Sequence, residues 1–329
     1  MKMSIENGAA LQRYSVSGAT MGTRYSAVFF AAPGLDASAT SDINAALFAA
    51  VDQVDRQMST WKPDSDLSLL NRAPVRQWIA VPRALAGVLQ AGLDIGRQSG
   101  GAFDIGVGKL VHAWGFGAQQ GRPQEGVEQK NKHQTEIKAS PLAATAALEI
   151  DHANLRVRRL TDATFDLSGI AKGHGVDELA RCLDRLGIAD YLVGIDGEMR
   201  ARGAKPGNVP WAVALEKPVP GIREVMGVME LVDGAIATSG DYRHFVDVAG
   251  QRYAHTMHPR LGAPVRNRLA AVTVVAPCCM LADAWATALL VLGEEGGVAL
   301  ACERGIDAWF MLRNGDGFDQ ISVIAGKVD

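Results

Sequence analysis

The stretch Asp166-Leu-Ser-Gly-Ile-Ala-Lys-Gly-His-Gly-Val-Asp-Glu-Leu-Ala-Arg-Cys-Leu-Asp-Arg-Leu-Gly-Ile-Ala-Asp-Tyr-Leu-Val-Gly-Ile195 changes its hydrophobic period twice. Asp166-Leu-Ser-Gly169 is a short run of small and polar residues. Val176, Leu179, Leu183 and Leu186 then recur at helical spacing on one face, and Gly187 closes the helix. Tyr191 to Ile195 reads as a strand. Toward the C-terminus, β-rich runs follow at 211–215, 224–232, 244–248 and 271–275, separated by Gly, Pro and Asp turns. A strong helix is predicted over 281–292 and a strand near 309–312. Toward the N-terminus, Ile43, Leu47, Val51, Val54 and Met58 predict a helix from an Asp42 N-cap to about Ser59. A second helix after Pro82 carries Leu85, Val88, Leu89 and Ile95 and stops at Gly100-Gly101. Strands that cluster with intervening helices, without regular alternation, favour an α+β architecture over a doubly wound parallel sheet. No internal repeat is visible.

The chain has 329 residues, 48% hydrophobic, with 36 glycines, enough for one large domain or two intimately joined ones. Residues 118–147 turn polar and rich in Gln, Lys and Glu, which reads as a surface excursion or a loosely packed helix within a domain. Lys+Arg 33 against Asp+Glu 36 gives a net charge of -3, so no strong field favours nucleic acid or an anionic membrane as partner. Cys182, Cys278, Cys279 and Cys302 form no C-x-x-C pair and have no His at zinc-finger spacing, which argues for buried apolar cysteines. Met1 to Thr20 is polar and mixed, without an apolar core of signal-peptide length or a cysteine to lipidate. As written the chain reads as cytoplasmic and not membrane-inserted. A periplasmic or membrane-anchored domain whose export signal had been removed would look the same.

Several segments have the residue types for chemistry, each with a bland alternative. Asp283 and Thr287, at i and i+4 of one helix, offer two hard oxygen donors of the kind Mg²⁺ takes while accepting phosphate oxygens. The same pair also reads as a first-turn Asp and a Thr bonded back to a carbonyl. The junction from Asp166 through Lys172 to Gly175 lets backbone N–H groups and a lysine approach an anion, and equally reads as ordinary helix entry. It has neither Walker A nor G-x-G-x-x-G spacing. Gly100 to Gly108 combines close-approach glycines with Phe103, suited to lie on a flat ring, and Asp104, a hydrogen-bond acceptor; a tight turn explains the glycines as well. Gly18-Ala-Thr-Met-Gly-Thr23 places Met21 among turn residues, either as core filler or against a ring edge. His255 sits where a strand reaches a proline-marked turn, and histidine suits general-base work as well as structural roles.

Taken in order, Gly18-Ala-Thr-Met-Gly-Thr23, Gly101-Ala-Phe-Asp104, Asp166-Leu-Ser-Gly-Ile-Ala-Lys-Gly173, Ser239-Gly-Asp-Tyr242, His255-Thr-Met-His-Pro259 and Ala282-Asp-Ala-Trp-Ala-Thr287 closely resemble the ApbE family of FAD:protein FMN transferases. The similarity spans roughly Tyr14 to Trp309. The resemblance implies a T-fold-like α+β domain over 14–329, after a tail at 1–13. Its two intimately packed α/β subdomains would hold FAD, the substrate, in a cleft with Mg²⁺ at the diphosphate. It implies attachment of FMN through a phosphoester to a Ser or Thr of a partner, typically a redox protein. By motif position Met21, Trp61, Ala102, Phe103, Asp104, Asp166, Lys172 and Met257 match flavin-nucleotide contacts. Asp283 and Thr287 match metal ligands, with the Gly169 carbonyl as a third. His255 matches the proposed base, and Lys172 adds charge stabilisation at the phosphates. One departure is His258, where the family usually carries Asp before the proline. Three further readings compete: an FAD pyrophosphatase with water as acceptor, a non-catalytic flavin-binding protein, and, more distantly, a nicotinamide oxidoreductase, which lacks its glycine fingerprint.

Overall fold

Sheet order in this protein is chain order. The computed structural model describes residues 11–117, 143–219, 221, 224–242, 245–248, 251–315 and 317–329. Nine antiparallel strands hydrogen-bond in sequence: β1 (Gln12–Thr20), β2 (Thr23–Ala31), β3 (Asp190–Ile195), β4 (Glu198–Arg202), β5 (Ala235–Gly240), β6 (Leu269–Ala276), β7 (Asp307–Asn314), β8 (Gly317–Ile324) and β9 (Lys327–Val328). Everything else is inserted between neighbouring strands, which is why the sequence shows clustered strands with irregularly spaced helices. The α+β expectation holds. β1 begins at Gln12, inside the segment read as a tail.

Among the described residues the helices are α1 (Ala37–Met58), α2 (Asp66–Arg72), α3 (Arg83–Gln98), α4 (Gly108–Ala113), α5 (Ala144–Ala147), α6 (Ala171–Arg185) and α7 (Cys279–Arg304). Helix α1 starts five residues before the predicted Asp42, because the Asp36 carboxylate caps Ala39 N–H at 2.8 Å. Its first turn is largely solvent-facing and shows no apolar stripe to read. Helix α7 runs past the predicted end at Leu292: Gly293 breaks it (φ 76°), and it continues to a left-handed Gly305 cap. Although α7 is apolar and long enough to cross a membrane by composition, it buries Leu289, Leu290 and the carboxyl of Asp283 inside the protein. On α6, Val176, Leu179 and Leu183 are buried as predicted, but Leu186 is exposed, since the chain turns away through Gly187 (φ 75°). Most of the polar segment 118–147 lies outside the described residues; its end forms α5.

Two apolar cores lie under the sheet. The first joins Tyr25, Ala27 and Phe29 of β2 to Leu47 and Val51 of α1, Val176 and Leu183 of α6, and Val193 of β3. The second joins α2, α3 and α7 to β6 and β7 through Leu70, Leu89, Leu289, Val272 and Phe310. Each large side chain buried here contributes about 1.5–3 kcal/mol against the entropy of ordering. One continuous sheet spans both cores, so the two halves form one domain. On the opposite sheet face, the hairpin of Trp211–Glu216 and Val225–Leu231 packs Trp211, Val213 and Leu231 against Ala201 and Ile236. Beyond it that face is left uncovered over part of β5, β6 and β7, where Thr238, Thr273 and Trp309 line a cavity.

Candidate active site

The cavity is organised by the crossing of α6 and α7. At Gly173 a Cβ would stand 2.4 Å from the Cys279 carbonyl oxygen and 2.8 Å from Asp283 Cβ, so only glycine admits this approach. Helix α7 is capped from outside: its N-cap Cys278 makes no side-chain bond, while the Asp177 carboxylate of α6 accepts the Cys279 and Met280 N–H groups, each at 3.0 Å. Asp177 is itself paired with Arg200 of β4 at 2.6 Å. The first turn of α7 is therefore registered against α6, and Asp283 arrives with its Oδ2 accepting the Gly173 N–H at 3.0 Å. Burial, reinforced by the charge of Glu198, pushes the Asp283 carboxyl up to about 7, against the opposing pull of Lys172 and the Gly173 N–H.

One turn further on, the Thr287 hydroxyl lies 3.0 Å from the Ser239 hydroxyl of β5. Gly169 packs against it, since a Cβ there would fall 3.2 Å from Thr287 Oγ1. Asp283, Thr287 and the Gly169 backbone thus share one corner. A buried carboxyl raised toward neutrality, a hydroxyl and a close backbone segment suit a hard cation such as Mg²⁺. Among the described residues no group of three His, Cys, Asp or Glu side chains forms a metal cluster. Any cation here therefore relies on the mixed oxygen set that the sequence singles out.

Lys172, in the first turn of α6, points Nζ at Glu198 Oε1 (2.5 Å), with Asp196 Oδ2 at 3.8 Å. Burial alone would lower the ammonium's pKa; the carboxylates of Glu198, Asp283 and Asp196 outweigh it and hold it above the ordinary lysine value.

The cavity measures about 1230 Å³ and is lined by all twelve side chains or backbone positions singled out from sequence. Met21 and Gly22 form the two-residue turn between β1 and β2, both with positive φ (47° and 72°), and Met21 leans on Gly175 of α6. Trp61 stands at the rim, half exposed. Ala102 and Phe103 are buried in the cavity wall, Phe103 against Gly169. Asp104 is already engaged: it accepts the Gly106 N–H at 2.7 Å and the Ala144 N–H at 3.2 Å, and burial raises its carboxyl above the usual range. Asp166 is carried beside it because Asp166 N–H donates to Ile105 O and Asn71 brackets Phe165 with two 2.8 Å bonds. Its carboxylate accepts the Ser168 N–H. Met257 is buried among Leu110, Trp114 and Tyr253. His255 lines the cavity with its ring edge-on to Phe116, centroids 6.4 Å apart.

The ApbE family model matches residues 21–310. The chain belongs to the ApbE family. An FAD:protein FMN transferase of Vibrio cholerae is 36% identical over 313 residues, covering 94% of this chain and 90% of that protein. One of Escherichia coli K12 is 33% identical over 303 residues, 92% of this chain and 85% of that protein. The solved apo structure of the Pseudomonas stutzeri flavinyl transferase ApbE superposes with a TM-score of 0.82 at 34% identity, over 97% of each chain.

Against the family pattern, His258 has a structural part. Its Nδ1 accepts the Leu261 N–H at 3.4 Å and its carbonyl accepts the Gly262 N–H at 3.0 Å, so it caps the turn as an Asp would. Burial and Arg260 lower its pKa, which favours the neutral ring that can accept. Sequence reading missed Asp177, Arg200, Asp196 and Glu198. The Asp196-Gly197 pair at the end of the β3 run was a hairpin signal that would have placed Glu198 beside the site.

Proposed function

We propose that this ApbE-family protein is an Mg²⁺-dependent FAD:protein FMN transferase. The observation that carries the proposal is that sequence-distant motifs, from Met21 to Thr287, meet on one cavity large enough for a dinucleotide. The names of its family relatives support the same reaction. The acceptor's Ser or Thr oxygen attacks the FMN phosphorus of FAD, the bond to the AMP phosphate oxygen breaks, and a phosphoester forms. His255 takes the hydroxyl proton. Lys172 places positive charge beside the phosphates, the backbone N–H groups at the α6 entry orient them, and Asp166 contacts the flavin nucleotide. A Mg²⁺ held by Asp283, Thr287 and the Gly169 carbonyl would supply charge neutralisation at the diphosphate. The acceptor is a partner protein, of redox type by family resemblance.

The test is to incubate the protein with FAD, Mg²⁺ and an acceptor domain bearing a flavinylation-type threonine, following AMP and acceptor mass together. AMP with an acceptor heavier by one FMN supports the transferase. AMP with free FMN and unmodified acceptor would make it a pyrophosphatase, and intact bound FAD would make it a carrier. In the same assay His255→Ala should lower transfer about 10²- to 10⁴-fold, with FAD affinity measured by flavin fluorescence unchanged.

A further inference from the structure

Glu198 lies outside every motif that points to flavin transfer, yet it is the residue that holds Lys172. Its carboxylate is buried and lines the cavity. Oε1 accepts Lys172 Nζ at 2.5 Å and Oε2 accepts the Gly197 N–H at 3.2 Å. The turn that presents it is shaped for the purpose: Asp196 sits in the left-handed region (φ 58°), and Ile195 pairs across the turn with Glu198. Residues 196 and 198, two apart, both reach the same ammonium. Asp283, which accepts the N–H of the next residue, Gly173, is near enough for its charge to act on Lys172 as well.

An ion pair with one buried partner, Glu198, and one part-exposed, Lys172, is a poor device for stability, because desolvation offsets much of the attraction. It is a good device for fixing a flexible lysine, which otherwise distributes its charge over many rotamers. We propose that Glu198 is a positioning residue for FAD cleavage, clamping the Lys172 ammonium beside the Asp283 corner where the diphosphate must lie. The proposal rests on the transferase reading above. In this role Glu198 acts on the reaction through Lys172; its charge also bears on the Asp283 carboxyl.

The experiment is steady-state AMP release from FAD by the full chain and by Glu198→Gln, Glu198→Asp, Lys172→Met and the Glu198→Gln/Lys172→Met double variant, each checked for folding by thermal melt. Glu198→Gln is expected to lower kcat roughly 10- to 100-fold, the scale of a misplaced catalytic group, with KM for FAD nearly unchanged. Glu198→Asp should recover part of the loss. The double variant should match Lys172→Met alone, since removing the clamp costs nothing once the lysine is gone. Parental kcat in Glu198→Gln would overturn the proposal, as would an undiminished Glu198→Gln effect in the Lys172→Met background. Should Glu198→Gln not fold, Glu198→Asp decides: intermediate kcat at parental KM supports the clamp, and parental kcat overturns it. A parent that binds FAD but releases no AMP would instead overturn the transferase reading itself.

Discussion

Helices α1 and α7 both pack against α6, with opposite chemistry. The α1 seam is wholly apolar: Ile43, Leu47 and Val51 meet Val176, Leu179 and Leu183. The α7 seam gathers Asp177, Lys172 and Asp283 from the helices with Arg200 and Glu198 from β4. Area burial explains the first, and nearly any close-packed apolar set would serve. The second places charges in a low-dielectric junction, where pairing little more than offsets desolvation. Helix α6 is thus a shared wall, one seam holding the fold and the other holding the reaction.

The largest effect is expected at Asp177, which caps α7 and pairs with Arg200: Asp177→Ala should cost about 3–5 kcal/mol by leaving a guanidinium unpaired, read by urea unfolding, and should reduce FAD cleavage too. Leu47→Ala, at a fully buried position of the apolar seam, should cost about 2–5 kcal/mol while the folded enzyme keeps its KM for FAD. If Leu47→Ala changed KM as much as Asp177→Ala, the two seams would not be separate in function.

The charged seam also makes a pH prediction with a definite sign. Asp283 is raised from 3.8 to about 7, so the stability it contributes is full below the unfolded value and is lost as pH rises through 7. In EDTA, Asp283→Asn should therefore match the parent near pH 4 and become the more stable protein by pH 8, by roughly 4 kcal/mol. Differential scanning calorimetry at the two pH values checks it; a variant less stable than the parent at pH 8 would show that the carboxylate is already well compensated. The smallest effect is expected at Ser239, whose hydroxyl orients Thr287: Ser239→Ala should weaken Mn²⁺ binding, measured by electron paramagnetic resonance, by about 10-fold.

How much of this was legible in the sequence depended on what kind of signal each residue emits. Helices with a clear apolar stripe, such as α3 and α6, were readable to within a few residues. β1 and β2 were not, because Gly18 to Thr23 read only as turn residues around Met21, without the flanking strands of the hairpin whose tip they form. The cavity lining was legible from motif order and resemblance, not from any segment alone. The network behind it was not legible: Asp177 looks like one more polar position of an amphipathic helix, and Glu198 like the solvated start of a strand. Only long-range pairing reveals Asp177, while the one local signal for Glu198 is the Asp196-Gly197 turn that precedes it.

The most direct measurement is AMP release from FAD by Asp283→Asn in Mg²⁺ at pH 8, a pH at which the metal-free variant is expected to be the sturdier protein. A fall on the order of 10³-fold, the scale of several kcal/mol of lost metal-assisted stabilisation, would show that the carboxyl the fold tolerates at a cost is the one the reaction requires. Near-parental AMP release would mean that Asp283 is not a ligand of the catalytic cation and that the α6–α7 seam is structural.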